Sequence, residues 1–209
     1  MLNLAFFRDV LAPGASLDLP AGPNRVLFAW QGKLTLRAAG TVVALAPNSA
    51  WHGTAAAVAT AGKNGAEVYR WELHRGAAPA GAKLVSPLSI DGSQQWLVRC
   101  DRVDFPLGGI AWTHTHQGPG TRCTLTGEMR VASAGHELRA ATGDPWFESG
   151  PDPVLAHASE TTLTSFARVM ILPAALLGKS SIRYVLPEDQ DKPKRQTYQL
   201  FIDEPIKLA

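Results

Sequence analysis

Charge is scarce in this chain of 209 residues: only 18% of positions are Asp, Glu, Lys or Arg, and the formal net charge is +2. The basic residues are scattered rather than clustered, so nothing favours nucleic acid as a partner. Cysteine is nearly absent. Cys100 and Cys123 are too few for a disulfide framework, and reduced thiols in a cytoplasmic protein are the expectation. No apolar run approaches the roughly 18 residues of a membrane-spanning helix. The N-terminal "MLNLAFF" run is cut by Arg8 and Asp9 and has no basic stretch before it, unlike a signal peptide. These absences leave a soluble globular protein without a membrane partner.

Helical periodicity is also scarce. What the chain has instead is short runs of Val, Leu, Phe, Trp and Thr, such as "RVLFAW", "KLTLRA", "AEVYRWEL" and "GIAWTHTH", separated by turn residues drawn from 19 Gly and 15 Pro. With 45% hydrophobic content this is the pattern of an all-β sandwich or barrel. One helical turn is expected at "LPAALLG", residues 172–178, where Pro173 suits a first helical position and Gly178 a C-terminal cap. The polar, Pro-interrupted tail reads as an arm that docks on the body or on a second subunit. A homodimer that covers open sheet edges is the expected assembly.

Three pairs of residues recur in the same order. Gly32 and Gly127 are 95 apart, Trp51 and Trp146 are 95 apart, and Arg70 and Arg168 are 98 apart. They indicate two homologous β units joined near the Ala/Gly/Pro stretch "GAAPAGAK". We assign residues 1–76 to the first unit, 77–173 to the second and 174–209 to the arm.

The stretch "WTHTHQGPG" puts His114 and His116 one residue apart. On a strand, alternate side chains share a face, so the two imidazoles can chelate one metal ion. The surrounding spacing resembles the first sequence motif of the cupins, which runs Gly, five residues, His-x-His, three or four residues, Glu, six residues, Gly. Here it reads Gly108, His114-Thr115-His116, Gly120, Gly127, with glycine standing where the family has its acid. The second cupin motif opens at Gly143-Asp144. Ser149, Pro151 and Val154 replace its usual Pro, Gly and third His. In the first half, aligned on Gly32, Arg25 falls at the acid position, and Ala21 and Leu19 fall at the two histidine positions. The chain thus resembles a bicupin, two jelly-roll barrels (double-stranded β-helices) in tandem, with part of a metal site kept in the second.

That resemblance implies a small-molecule-binding protein with a divalent transition metal (Fe, Ni, Zn or Mn) on His114 and His116, and chemistry of the dioxygenase or isomerase kind. Two ligands bind a metal weakly, and stable sites use three or four. Glu148 and His157 are the nearby replacements. Strand parity from His116 puts Arg122 on the inner face as a fork-shaped donor for a carboxylate ligand, with Trp112 and Trp146 as candidate pocket walls. The alternative is a binding or sensory barrel without a metal, in which the two histidines are hydrogen-bonded core residues.

Overall fold

The computed structural model describes residues 1–77 and 79–208. The chain divides into two compact units, Met1–Pro87 and Leu88–Lys207. Both are built almost wholly of antiparallel strands, as the alternation of β-branched and aromatic residues with turn residues dictates. Among the described residues no helix is long and apolar enough to cross a membrane.

The first unit holds β1 (Leu2–Leu11), β2 (Ser16–Leu19), β3 (Asn24–Ala38), β4 (Thr41–Leu45), β5 (Ser49–Gly53), β6 (Ala57–Arg75) and β7 (Leu84–Pro87). They form one sheet in the order β4-β3-β6-β1-β7, with β2 added to β6 and β5 to β3. Leu27, Ala29, Leu34, Leu36, Ala59 and Val68 lie at the centre of its core. Charged side chains continue the same faces: Arg25 is fully buried and bonds Glu72, and Arg70 forks onto Asp9 at 2.7 and 3.1 Å.

The second unit holds two five-stranded sheets. One runs β13 (Pro145–Glu148), β10 (Gly120–Thr126), β15 (Thr164–Pro173), β8 (Trp96–Phe105) and β17 (Thr197–Ile206). The other runs β12 (His136–Ala141), β11 (Glu128–Ser133), β14 (Val154–Ala158), β9 (Ile110–His116) and β16 (Ile182–Tyr184). Val103, Phe105, Trp146 and Phe166 from the first sheet meet Ala111, Met129, Val131, Val154 and Ala156 from the second, so the core lies between the sheets.

The recurring residues occupy matching registers. In the first unit Leu27 of β3 is paired with Trp51 on one side and Arg70 on the other. In the second, Arg122 of β10 is paired with Trp146 and Arg168. Gly32 and Gly127 both have positive φ, 75° and 71°. A Cβ at Gly32 would collide with the Gly65 carbonyl oxygen, and one at Gly127 would meet the Thr164 hydroxyl at 2.5 Å. Backbone conformation and close approach both require glycine there.

One expectation about the C-terminal region needs correction. The helical turn expected at residues 172–178 is a three-residue 3-10 turn, Ala174–Leu176, because Leu172 and Pro173 still belong to β15 and pair with Leu97 and Trp96. Of the two dockings open to the tail, the structure shows the one on the body. β16 pairs with β9 and β17 with β8, so the tail completes both sheets of the second unit. A four-residue helix, α1 (Pro187–Gln190), joins them, with its buried Asp189 paired to Lys192 at 2.6 Å.

Candidate functional site

Five strands and the tail converge on one polar cluster inside the second unit. His114 and His116 project from β9 into the core, 6% and 4% exposed. Their Nε2 atoms stand 3.2 Å apart. The His114 Nδ1–H donates to the Trp112 carbonyl at 2.6 Å, which turns the bare Nε2 inward. His116 Nδ1 lies 3.4 Å from the Ser181 hydroxyl, which the tail brings in just before β16. Burial holds His114 below the usual histidine range, and burial with Arg122 and Arg168 nearby holds His116 well below it. Both imidazoles are therefore neutral at neutral pH and have lone pairs to give.

Glu148 is the directly paired residue of Gly120 across β13 and β10. Its side chain is buried, with Oε2 3.4 Å from His116 Nε2 and 2.6 Å from Arg122 Nη2. Neither Glu148 Oε2 nor Arg122 Nη2 has a hydrogen-bond partner among the described residues, so their contact is close in distance but poorly aligned. The other oxygen, Oε1, accepts from Trp146 Nε1 at 2.9 Å. Arg122, 1% exposed, also donates to the Gly120 carbonyl at 2.6 Å, and burial brings its guanidinium down to about 10 despite Glu148.

Of the residues singled out from the sequence, His114, His116, Glu148, Arg122 and Trp146 come together around one cavity of about 20 Å³. That is room for a water molecule or a metal ion. His157 and Trp112 do not join them. On β14, Val154, Ala156 and Ala158 are buried inward and His157 falls on the opposite face, so alternation removes it as a ligand. Trp112 is displaced by a bulge: Val154 pairs with His114 but Ala156 pairs with Ala111, so β9 carries one extra residue there. Ala111 lines the cavity, while the Trp112 ring packs under the Lys192 ammonium at 4.3 Å. Val154, at the family's third-histidine position, puts its methyl groups on the cavity wall.

Several contributors to the cavity carry no local motif. Arg168, one of the recurring residues, is a wall of the cavity, forked onto buried Asp101 at 2.6 and 3.0 Å. Burial opposes its charge, but Asp101 outweighs burial and raises it above the ordinary arginine value. The 98-residue offset from Arg70 was the available signal, since Arg70 forks onto Asp9 in the same way. Tyr184, Gln196 and Tyr198 of the tail also line the cavity. Cys100 and Cys123 are buried, and burial pushes the Cys100 thiol well up, so Cys100 is not an activated nucleophile.

No protein-family model and no curated protein matches the sequence. Solved structures do match in fold. AerE from Microcystis aeruginosa superposes with a TM-score of 0.64 at 14% identity, over 81% of this chain and 88% of that one. Salicylate 1,2-dioxygenase from Pseudaminobacter salicylatoxidans gives 0.60 at 10% identity, over 95% and 75%. The Cupin 2 conserved barrel domain protein from Leptotrichia buccalis gives 0.50 at 15%, over 81% and 84%. The fold is the jelly-roll barrel of the cupins. Likeness at these identities is one of architecture, and activity must be argued from the site.

Proposed function

We propose that the second unit is a small-molecule-binding cupin barrel that holds a divalent transition metal on His114, His116 and Glu148. The observation that carries this reading is the pair of inward imidazoles, with Glu148 Oε2 3.4 Å from His116 Nε2 on the same cavity. Among the described residues no three His, Cys, Asp or Glu side chains already stand in metal-holding geometry, so Glu148 must turn from Arg122 to complete the set. Two nitrogens at 2.0–2.1 Å from a tetrahedral metal stand about 3.3 Å apart, and the two Nε2 atoms are separated by 3.2 Å. Glu148 Oε2 is the third donor, buried and without a hydrogen-bond partner among the described residues. Nothing protonates the pair at neutral pH, because burial and Arg122 keep both imidazoles neutral. The Trp112 carbonyl and the Ser181 hydroxyl orient the two rings from behind.

Two histidines and one carboxylate with open positions form the donor set of non-haem iron(II) oxygenases, and the chemistry a metal supplies there is Lewis-acid polarisation or dioxygen activation. The chain's own contribution is orientation and charge. Arg122 Nη2 lies 2.6 Å from Glu148 Oε2, and Arg168 is held at the wall by Asp101. Val154, Phe166 and Trp146 supply the apolar part of the cavity wall.

A second reading has its own observation: Arg122 Nη2 lies 2.6 Å from the same Glu148 oxygen that a metal needs. On that reading the carboxylate stays with arginine, and the barrel binds its ligand without a metal. Elemental analysis of protein purified without a histidine tag separates the two. The metal reading expects a stoichiometric divalent metal in the wild type and its loss in the His114→Ala/His116→Ala double variant. Wild-type protein that takes up no transition metal at neutral pH, even in excess, overturns it.

A further inference from the structure

Tyr184 and Tyr198 stand between two spaces of unequal size. On one side is the cavity of about 20 Å³ around the histidines, too small for an organic molecule. On the other is a groove of about 450 Å³, bounded by β17, Arg168 and the tail segment 178–184. The two tyrosines, Ile182 and Arg168 line both spaces.

The charges of the groove do not balance. Its two acids are already engaged: Asp101 takes the fork of Arg168, and Asp203 takes that of Arg99 at 2.9 and 3.0 Å, plus the Gly178 N–H at 2.8 Å. Lys179 and Lys194 on its rim have no carboxylate partner among the described residues. Four cations face two carboxylates, an excess of two positive charges. Between them lie apolar surfaces left open to solvent, with Tyr198 48% and Leu200 55% exposed. Lys194 sits 4.6 Å from the centre of the Tyr184 ring, so cation and aromatic face already adjoin.

We propose that this groove is the binding site for a small organic carboxylate with an aromatic or apolar body. Lys179 and Lys194 hold the acid, and the body lies on Tyr184, Tyr198 and Leu200. A groove of this volume suits a small molecule, and its charged side chains share the wall with Ile182, Tyr184, Tyr198 and Leu200. Strand parity alone points to Arg122 as the partner of a carboxylate ligand. In the structure Arg122 is turned to Glu148 in a cavity too small for such a ligand, which moves the recognition of the acid outward to the lysines. The proposal stands with or without a metal on the histidines.

Isothermal titration calorimetry with benzoate, and with benzamide as the uncharged analogue, tests it. Benzoate binds the wild type and benzamide binds at least about tenfold more weakly, as loss of a charge-assisted contact predicts. The Lys179→Met/Lys194→Met variant loses about tenfold in benzoate affinity; both side chains are exposed, so the fold is kept. Wild type stripped of metal by a chelator binds benzoate unchanged. Equal binding of acid and amide, no binding of benzoate, or wild-type affinity in the double lysine variant overturns the proposal. So does loss of benzoate binding on chelation, which would put the acid in the inner cavity instead.

Discussion

Glu148 lies directly across from Gly120 in the pairing of β13 with β10, and its carboxylate reaches to 3.4 Å from His116 Nε2. A carboxylate thus stands on the neighbouring strand, beside the position where Gly120 has no side chain. Replacing Glu148 with Gln keeps the shape and removes the charge, and it should weaken divalent-metal binding by at least about tenfold. Metal titration followed by calorimetry reads this directly. An unchanged affinity would remove Glu148 from the donor set.

Restoring an acid at position 120 should fail. A Cβ there would meet the Val169 carbonyl oxygen at 2.6 Å and Met170 Cγ at 2.7 Å. Gly120→Ala and Gly120→Glu should each destabilise the second unit by about 1–3 kcal/mol, the range for overpacking a tight site. Thermal unfolding gives the comparison. A Gly120→Glu protein as stable as wild type, with tighter metal binding, would contradict the geometry.

How far the sequence reached is clearest around β9. The two-residue spacing of His114 and His116 and the inward parity of Arg122 follow from strand geometry, and the structure places all three on the cavity. The same parity argument fails for Trp112, because the bulge between Val154 and Ala156 depends on the pairing of β14 with β9 and leaves no local mark. The tail residues Ser181, Tyr184 and Tyr198 were out of reach for a similar reason. Their segment is polar and interrupted by Pro187 and Pro193, and its strands exist because distant β8 and β9 offer free edges. Asp101 carried no motif; its role depends on a partner 67 residues away.

Arg122 supplies a test that links stability to metal. With no cation bound, Arg122→Met leaves the buried Glu148 carboxylate without its countercharge, at a cost of about 3–5 kcal/mol. A divalent metal would provide that charge. Melting temperatures measured with chelator and with added metal should therefore show a larger metal-induced rise in the variant than in the wild type. Equal shifts would mean that the metal does not meet Glu148.

The first unit has its own pH dependence. Burial pushes the Glu72 carboxyl up, but the bond from Arg25 and the charge of Arg70 outweigh burial, and the group ends below its ordinary value of 4.5. Between the two values the unfolded chain binds more protons than the folded one. This contribution is intact above pH 4.5 and is lost as the pH falls through the lower, folded value. Denaturant unfolding of wild type and Glu72→Gln from pH 7 to 3 should show a steeper acid loss in the wild type. Parallel curves would argue against the buried ion pair.

The central claim, a metal held by three residues from two strands, is tested most directly by anomalous diffraction from crystals grown with manganese or iron. The account predicts one strong peak inside the second unit, within about 2.0–2.3 Å of His114 Nε2, His116 Nε2 and Glu148 Oε2. A map with no peak there, with Glu148 still turned to Arg122, would contradict it.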